Sequence, residues 1–312
     1  MTLLVALTWD PAPWVERFRR LLPDRRIVVL GEPFDRGEIR YVATWGPKPG
    51  SLSGLPNVAV IFSLGAGVDH LMTYPDLPDV PVVRVAQEDL TERMSEYVVL
   101  HCLMHLRDQR RYDAQQHEKV WRHDAAPPRA GEVRVGMLGF GVLGQDAARK
   151  LRAIGFEVAG WSRGRKRVEG HRVFAGDELD AFLARTDILV SLLPLTPDTR
   201  GILNRELFRK LAHDGRLGGP VLINAGRGGL QVEADILACL DDGTLKAATL
   251  DVFETEPLPP DSPLWSHPRV TVTPHNAAVS EPDATARYIA DQIRRFERGE
   301  PLQNVVDRGR GY

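Results

Sequence analysis

Short aliphatic and β-branched runs alternate along this chain with stretches in which apolar residues recur at helical spacing. In the first third, "LLVALT", "RIVVL", "YVATW" and "VAVIFS" read as strands separated by amphipathic or Pro/Gly-rich connections. After "PVVRVA" a long helical stretch is expected from about Glu92 to Val120, with Tyr97, Leu100, His101, Met104 and Leu106 on its apolar spacing. "HDAAPPRAGE" then breaks the pattern as a linker would. Beyond it, "VRVGMLG", "EVAGWS", "ILVSLL", "PVLINAG", "KAATLDVF" and "VTVTPH" read as a second set of strands, with helices between most of them. A last helix runs from about Pro282 to Arg298, stops at Gly299, and is expected to return to the first domain. Alternation of this kind predicts an α/β fold: two doubly wound parallel sheets wrapped by helices on both faces, with a cleft between them. No internal repeat or low-complexity tract interrupts it.

Composition changes this picture little. At ~150 residues per domain, a chain of 312 residues predicts two domains. Apolar content of 43% and charged content of 26% are ordinary for a globular protein. The net charge of -2 provides no broad basic field for nucleic acid or an anionic membrane. Basic residues do cluster at Arg107–Arg111 and Arg163–Arg167. The start, "MTLLVALTWD", lacks a basic leader and meets Asp10 and Pro11 too early for a signal peptide. No apolar run approaches the roughly 20 residues of a membrane helix. Cys102 and Cys239 fall inside helical patterns and make a poor disulfide framework, which fits a reducing compartment; a cytoplasmic protein is expected.

Chemistry enters at "VRVGMLGFGVLGQDAARKL", where Gly139, Gly141 and Gly144 form GxGxxG between a strand and a helix. The first glycine allows the tight turn, the second lets backbone approach a pyrophosphate, and the third lets helix pack on strand. Val142 and Leu143 lie within the same turn, where the helix N-terminus offers unpaired N–H groups. A dinucleotide is therefore expected here, a bare structural turn being the alternative. The next strand ends at Ser162, where an NAD site would carry Asp or Glu for the ribose hydroxyls. Ser162 with Arg163, Arg165 and Lys166 suits a 2′-phosphate instead, so NADP(H) is expected over NAD(H). The competing reading is a solvated basic loop.

Three further segments end strands of the same sheet. "INAGRGG" carries Arg227, "LDVFETEP" carries Glu256 and "TVTPHNAA" carries His275. Strand carboxyl ends of an open parallel sheet face its ligand crevice. Hydride delivery to a carbonyl builds negative charge on oxygen, which needs a cation beside it and then a proton. Arg227 can bind a substrate carboxylate and polarise the carbonyl. His275 can donate the proton, because imidazole exchanges protons near neutrality. Glu256 can orient that ring and stabilise its charged form. Taken singly, these are equally a surface cation, a turn residue and a core histidine.

With those residues in place, the chain resembles the D-isomer-specific 2-hydroxyacid dehydrogenases, and within them the NADPH-dependent glyoxylate/hydroxypyruvate reductases of the bacterial A type. The resemblance covers nearly the whole chain. It rests on "SLGAGVDH", "ERMSEYVVLH", "GFGVLG", "WSRGRK", "LLPLTPDTRGILN", "NAGRGG", "EADILACLDDGTLKAATLDVFETEPLP", "SPLWSHPRVTVTPHNAAV" and the terminal "DRGRGY". It implies Arg227 as the substrate-binding cation, Glu256 as the histidine's partner and His275 as acid/base. It further implies that backbone N–H groups of the Gly65–Asp69 loop, at Ala66, Gly67 and Val68, bind the substrate carboxylate, and that Trp45 walls the pocket. Leu193, Pro194, Thr199, Ala225, Gly226 and Asp251 are implied as cofactor contacts. A substrate (catalytic) domain of residues 1–100 and 283–312 is then expected, with a dinucleotide-binding domain of residues 101–282 carrying a dimerisation arm in a homodimer. Asn276 and Gly226 depart from the usual family pattern, predicting a more polar wall and a looser arginine loop.

The implied activity is NADPH-dependent reduction of glyoxylate to glycolate and hydroxypyruvate to D-glycerate. An NAD-dependent dehydrogenase of a larger D-2-hydroxy acid is the alternative in the same class, and a nicotinamide-sensing corepressor-like binding protein the alternative outside it. No metal is expected. His101, Cys102 and His105 share a helical face but lack an acidic partner, and "HEKVW" has Trp121 where HExxH needs its second histidine.

Overall fold

The computed structural model describes residues 1–123 and 126–309. The first part of the chain runs β1 (Thr2–Leu7), α1 (Ala12–Leu21), β2 (Arg26–Val29), β3 (Ile39–Trp45), β4 (Val60–Ser63), α2 (Asp69–Met72) and β5 (Val82–Val83). Next come α3 (Glu88–Leu106), α4 (Gln109–Glu118), β6 (Arg134–Leu138), α5 (Val142–Ile154), β7 (Glu157–Ser162) and β8 (Arg172–Ala175). Then follow α6 (Leu179–Leu183), β9 (Ile188–Ser191), α7 (Arg205–Arg209), β10 (Val221–Asn224) and α8 (Glu233–Asp241). The last elements are β11 (Ala247–Leu250), β12 (Val270–Val272) and α9 (Pro282–Glu297). The chain divides into two compact units, Met1–Leu90 with the segment from Ser280 on, and Thr91–Val279. The division falls inside α3, upstream of the boundary near residue 100 read from sequence.

In the N-terminal unit five strands lie in the order β2-β1-β3-β4-β5, every pair parallel. The period of two along β1 sends Leu3 and Val5 to one face and Leu4 and Ala6 to the other. The first pair packs with Val15 and Phe18 of α1 and with Ala286, Ile289, Ala290 and Ile293 of α9. The second joins Val42, Ile61 and Leu71. The C-terminal helix therefore completes the core of the N-terminal unit.

The other unit carries seven parallel strands in the order β12-β11-β10-β9-β6-β7-β8. Val135, Met137, Ile188, Val190, Val221 and Ile223 face α3 and α5 through Tyr97, Val98, Cys102, Ala147, Ala148 and Leu151. Leu138, Leu189, Leu222 and Leu250 face Phe182, Phe208, Ile236 and Leu240 on the opposite side. The order reverses between β6 and β9, and ligand crevices of such sheets open beyond the strand carboxyl ends at that point.

Two local features depart from the sequence reading. The single helix expected over 92–120 is two, because Asp108 takes a left-handed conformation at φ 52°. Aspartate tolerates that region better than most residues, and no glycine or proline signals the break. Leu100, expected on the apolar face of the helix, is 54% exposed; the buried face runs through Met94, Tyr97, Val98, His101 and Cys102. The edge strand β8, "RVFA", has no clear sequence signal because it is short and follows a turn. Asp124 and Ala125 of the expected linker, and the last three residues of "DRGRGY", lie outside the described residues. Both cysteines are free and buried. No helix among the described residues is long and apolar enough to cross a membrane, and no metal-binding cluster of His, Cys, Asp and Glu occurs among them.

Candidate active site

Between the end of β6 at Leu138 and the start of α5 at Val142 the glycine turn has three residues. Gly139 has φ +105°, and a Cβ on it would lie 2.8 Å from the Leu192 carbonyl. A Cβ on Gly144 would lie 2.2 Å from the Gly139 carbonyl oxygen, so α5 sits directly on the turn. Gly141 differs: a Cβ there would meet nothing within 4 Å. Two glycines thus let strand and helix close together, while the third leaves bare backbone beside open space. That arrangement, at the head of a 13-residue helix, fits a dinucleotide pyrophosphate. Val142 is exposed and Leu143 half-buried against the core.

The strand order places the other expected residues in a row. From β7 through β6, β9, β10 and β11 to β12 is five inter-strand steps, roughly 24 Å at about 4.8 Å each. At one end, Ser162 closes β7 and donates to the Gly164 carbonyl at 2.9 Å. Arg163 pairs with Asp198 at 3.8 Å, and Arg165 is exposed. Lys166 turns back onto the glycine turn, donating to the Phe140 carbonyl. Burial there lowers the pKa of its ammonium. Past β9, Leu193 is buried, and Thr199 closes the next turn by donating to the Pro194 carbonyl at 2.7 Å.

After β10 comes the arginine loop. Buried Asn224 accepts from the Gly226 N–H at 3.1 Å and donates to the carbonyl of Arg227 at 3.1 Å and to Gln231 Oε1 at 2.8 Å. Gln231 in turn donates to the Val252 carbonyl at 2.9 Å. Arg227 donates to the Gly226 carbonyl at 2.7 Å. Gly228 is required by its neighbour, since a Cβ would overlap the Phe253 carbonyl oxygen at 1.8 Å. That close approach brings the arginine loop against the turn that carries Glu256. Gly226, expected to loosen the loop, is instead buried between the Leu193 carbonyl and Leu230, each 2.9 Å from a Cβ added there. Ala225 beside it is also buried.

Glu256 is held at both oxygens. Oε1 accepts from the Phe253 N–H at 2.9 Å, and Oε2 lies 2.7 Å from His275 Nδ1. Burial pushes this carboxyl upward, but the bonds from His275 and Phe253 and the charges of His275 and Arg227 outweigh it, leaving the pKa below its ordinary value. The carboxylate on Nδ1 places a proton there and leaves Nε2 as the exchanging nitrogen. His275 has φ 53°, a left-handed conformation that costs of order 1–3 kcal/mol and persists only where surrounding bonds impose it. They come from Asp251, whose carbonyl accepts from the His275 N–H at 2.8 Å. Its carboxylate accepts from Thr273 at 2.6 Å and from the N–H groups of Asn276 and Ala277 at 3.0 Å each. Asp251, expected among the cofactor contacts, is thus 1% exposed and lies beneath the histidine loop. Asn276 uses its backbone in that bond and is exposed.

A match to the family described as "D-isomer specific 2-hydroxyacid dehydrogenase, NAD binding domain" spans residues 99–277, covering the glycine turn, Arg227, Glu256 and His275. The chain belongs to this family. Solved structures of other 2-hydroxyacid dehydrogenases superpose over its full length. An NADPH-dependent glyoxylate/hydroxypyruvate reductase from Sinorhizobium meliloti, in complex with NADP and sulfate, is 51% identical with a TM-score of 0.94, over 100% of this chain and 99% of that one. A probable 2-hydroxyacid dehydrogenase from Rhizobium etli, in complex with NADP, HEPES and L(+)-tartaric acid, is 50% identical with a TM-score of 0.95, over the same shares. A D-isomer specific 2-hydroxyacid dehydrogenase from Xanthobacter autotrophicus, in complex with NADPH and MES, is 40% identical with a TM-score of 0.92, again over 100% and 99%.

In the dehydrogenase's N-terminal unit the remaining expected residues cluster after β3 and β4. A Cβ on Gly65 would lie 2.2 Å from the Trp45 ring, so the indole packs on the bare backbone of the loop. On its other contact the indole meets His70, with ring centroids 4.6 Å apart. Ala66 and Gly67 are half-buried and Val68 is buried in the same loop. Ser63 donates to the Gly67 carbonyl at 3.3 Å. Sequence reasoning passed over Asn224, Gln231, Tyr97 and Thr273, which brace the site from below. The available signal was polarity out of place, an asparagine ending an apolar strand and a tyrosine inside a core helix.

Proposed function

We propose that this chain reduces small 2-oxo acids with NADPH, glyoxylate to glycolate and hydroxypyruvate to D-glycerate. The observation that carries the reading is the 2.7 Å bond between His275 Nδ1 and Glu256 Oε2, in a turn whose carboxylate also feels the charge of Arg227. The bound cofactors of the Sinorhizobium meliloti and Xanthobacter autotrophicus enzymes support the choice of NADPH, and the name of the first supports the substrate class.

Bound NADPH supplies the hydride. Gly139, Gly141, Val142, Leu143 and Gly144 hold its pyrophosphate; Ser162, Arg163, Arg165 and Lys166 hold the 2′-phosphate; Leu193, Pro194, Thr199, Ala225 and Gly226 line the remainder. The Arg227 guanidinium matches the geometry of a carboxylate and stabilises negative charge growing on the carbonyl oxygen. His275 donates from Nε2 to that oxygen, because Nδ1 is committed to Glu256. Glu256 keeps the ring from turning and balances the imidazolium. In the N-terminal unit, backbone N–H groups at Ala66, Gly67 and Val68 bind substrate carboxylate, and Trp45 limits substrate size. We assign the active form as a homodimer in the cytoplasm; Trp121, 98% exposed, and Val120, 44% exposed, follow α4 as an apolar arm suited to a second subunit.

The test is initial rates for glyoxylate, hydroxypyruvate and a phenyl- or branched 2-oxo acid, each with NADPH and NADH. The highest kcat/KM is expected for the small acids with NADPH. Preference for the bulky acid with NADH would instead indicate a dehydrogenase of a larger D-2-hydroxy acid. Cofactor binding without turnover would indicate a nicotinamide-sensing protein.

A further inference from the structure

We propose that Tyr97 is a positioning residue for the proton donor, its phenol holding the His275 loop through Thr273 and Asp251. The role in proton donation rests on the functional reading above; the hydrogen-bond chain does not. Tyr97 lies on α3, 9% exposed, with its hydroxyl 2.8 Å from Thr273 Oγ1. Thr273 Oγ1 lies 2.6 Å from Asp251 Oδ1. A threonine hydroxyl has one proton, and a carboxylate cannot donate, so that proton belongs to the bond with Asp251. The phenol therefore donates to Thr273, and the chain runs in one direction from helix to carboxylate.

Asp251 passes the constraint on. The oxygen that accepts from Thr273 also accepts from the Asn276 N–H, and the other accepts from the Ala277 N–H. These bonds bracket His275 at positions 273, 276 and 277 and hold its left-handed backbone in place. A purely apolar side chain would fill the core position of Tyr97 without the penalty of burying a hydroxyl. The ring also packs on His101, with centroids 4.2 Å apart. Burial keeps the His101 imidazole below its ordinary pKa, so a neutral ring faces the phenol.

The experiment compares Tyr97→Phe, Thr273→Val, Thr273→Ser and the double variant Tyr97→Phe/Thr273→Val with the wild type. Amide hydrogen exchange is read without turnover, and kcat and the KM for NADPH are measured beside it. Tyr97→Phe keeps the ring and removes only the hydroxyl. It is expected to speed exchange at residues 273–277 about five- to tenfold, with peptides from β6 and β10 unchanged. The kcat should fall about fivefold at an unchanged KM for NADPH. Thr273→Val should match it, Thr273→Ser should remain near wild type, and the double variant should be no worse than Thr273→Val. Unchanged local exchange, or exchange raised equally throughout the unit, would overturn the proposal. So would an unchanged kcat in an active enzyme. A wild type inactive on every 2-oxo acid would end the functional reading, while the exchange data would still judge the phenol's hold on the loop.

Discussion

The loops after β10, β11 and β12 leave the same edge of the same sheet as the loop after β7, yet the two groups are built in opposite ways. Around Arg227, Glu256 and His275, buried Asn224, Gln231 and Asp251 bond to the backbone, and both oxygens of Glu256 are engaged. Around Ser162, Arg163 and Arg165 are exposed, and Arg163 pairs with Asp198 at 3.8 Å. Proton transfer and carbonyl polarisation require reacting atoms to be placed within fractions of an ångström. Attraction between arginines and a phosphate falls slowly with distance and tolerates moving side chains. On the proposed roles, the end with its side chains bonded from beneath has a geometric task, and the end with exposed arginines an electrostatic one.

The comparison is tested most severely at His275. His275→Ala should lower kcat by about 10²- to 10⁴-fold while NADPH still binds, as followed by fluorescence titration and steady-state rates. Near-normal kcat would remove the proton-donor role and with it the reason for the bracing. At the other end, Ser162→Asp combined with Arg163→Ala should raise the Kd for NADPH about ten- to a hundredfold, with little change for NADH. Equal losses for both cofactors would mean that the loop does not read the 2′-phosphate.

The smallest effect concerns acid stability. The folded-state pKa of Glu256 lies below its ordinary value of 4.5. Its contribution is therefore present above that value and is lost as pH falls through the lower folded one. The Tm difference between wild type and Glu256→Gln should shrink as pH falls below 4.5. Because Glu256 is 35% exposed, solvent screens the pair and the difference should be modest. A difference that grows as pH falls below 4.5 would contradict the pairing.

Much of the architecture was legible because its signals are local. An apolar run followed by three spaced glycines and a helical pattern specifies a strand, a turn and a helix through sterics alone. Ser162 could be read as a departure from an acidic residue because its position after the second strand is set by counting. The break at Asp108 could not be read, since left-handed aspartate has no composition of its own. Nor could the placement of Asp251: a carboxylate at a strand end suggests a ligand contact, and only the folded loop shows its oxygens occupied from beneath. Lys166 likewise belonged to a basic run, but its contact with Phe140 depends on how that loop folds back.

The sequence alone determined which reactive groups this protein has, and that parallel strands would carry them to one edge of a sheet. Those properties follow from residue type, period and turn chemistry, which act over a few positions. The tertiary structure decided which groups meet: Glu256 with His275 across 19 residues, and Tyr97 with Thr273 across 176. Such pairings depend on strand order and close packing, where a glycine such as Gly228 lets two loops touch, and these are properties of the assembled core rather than of any segment within it.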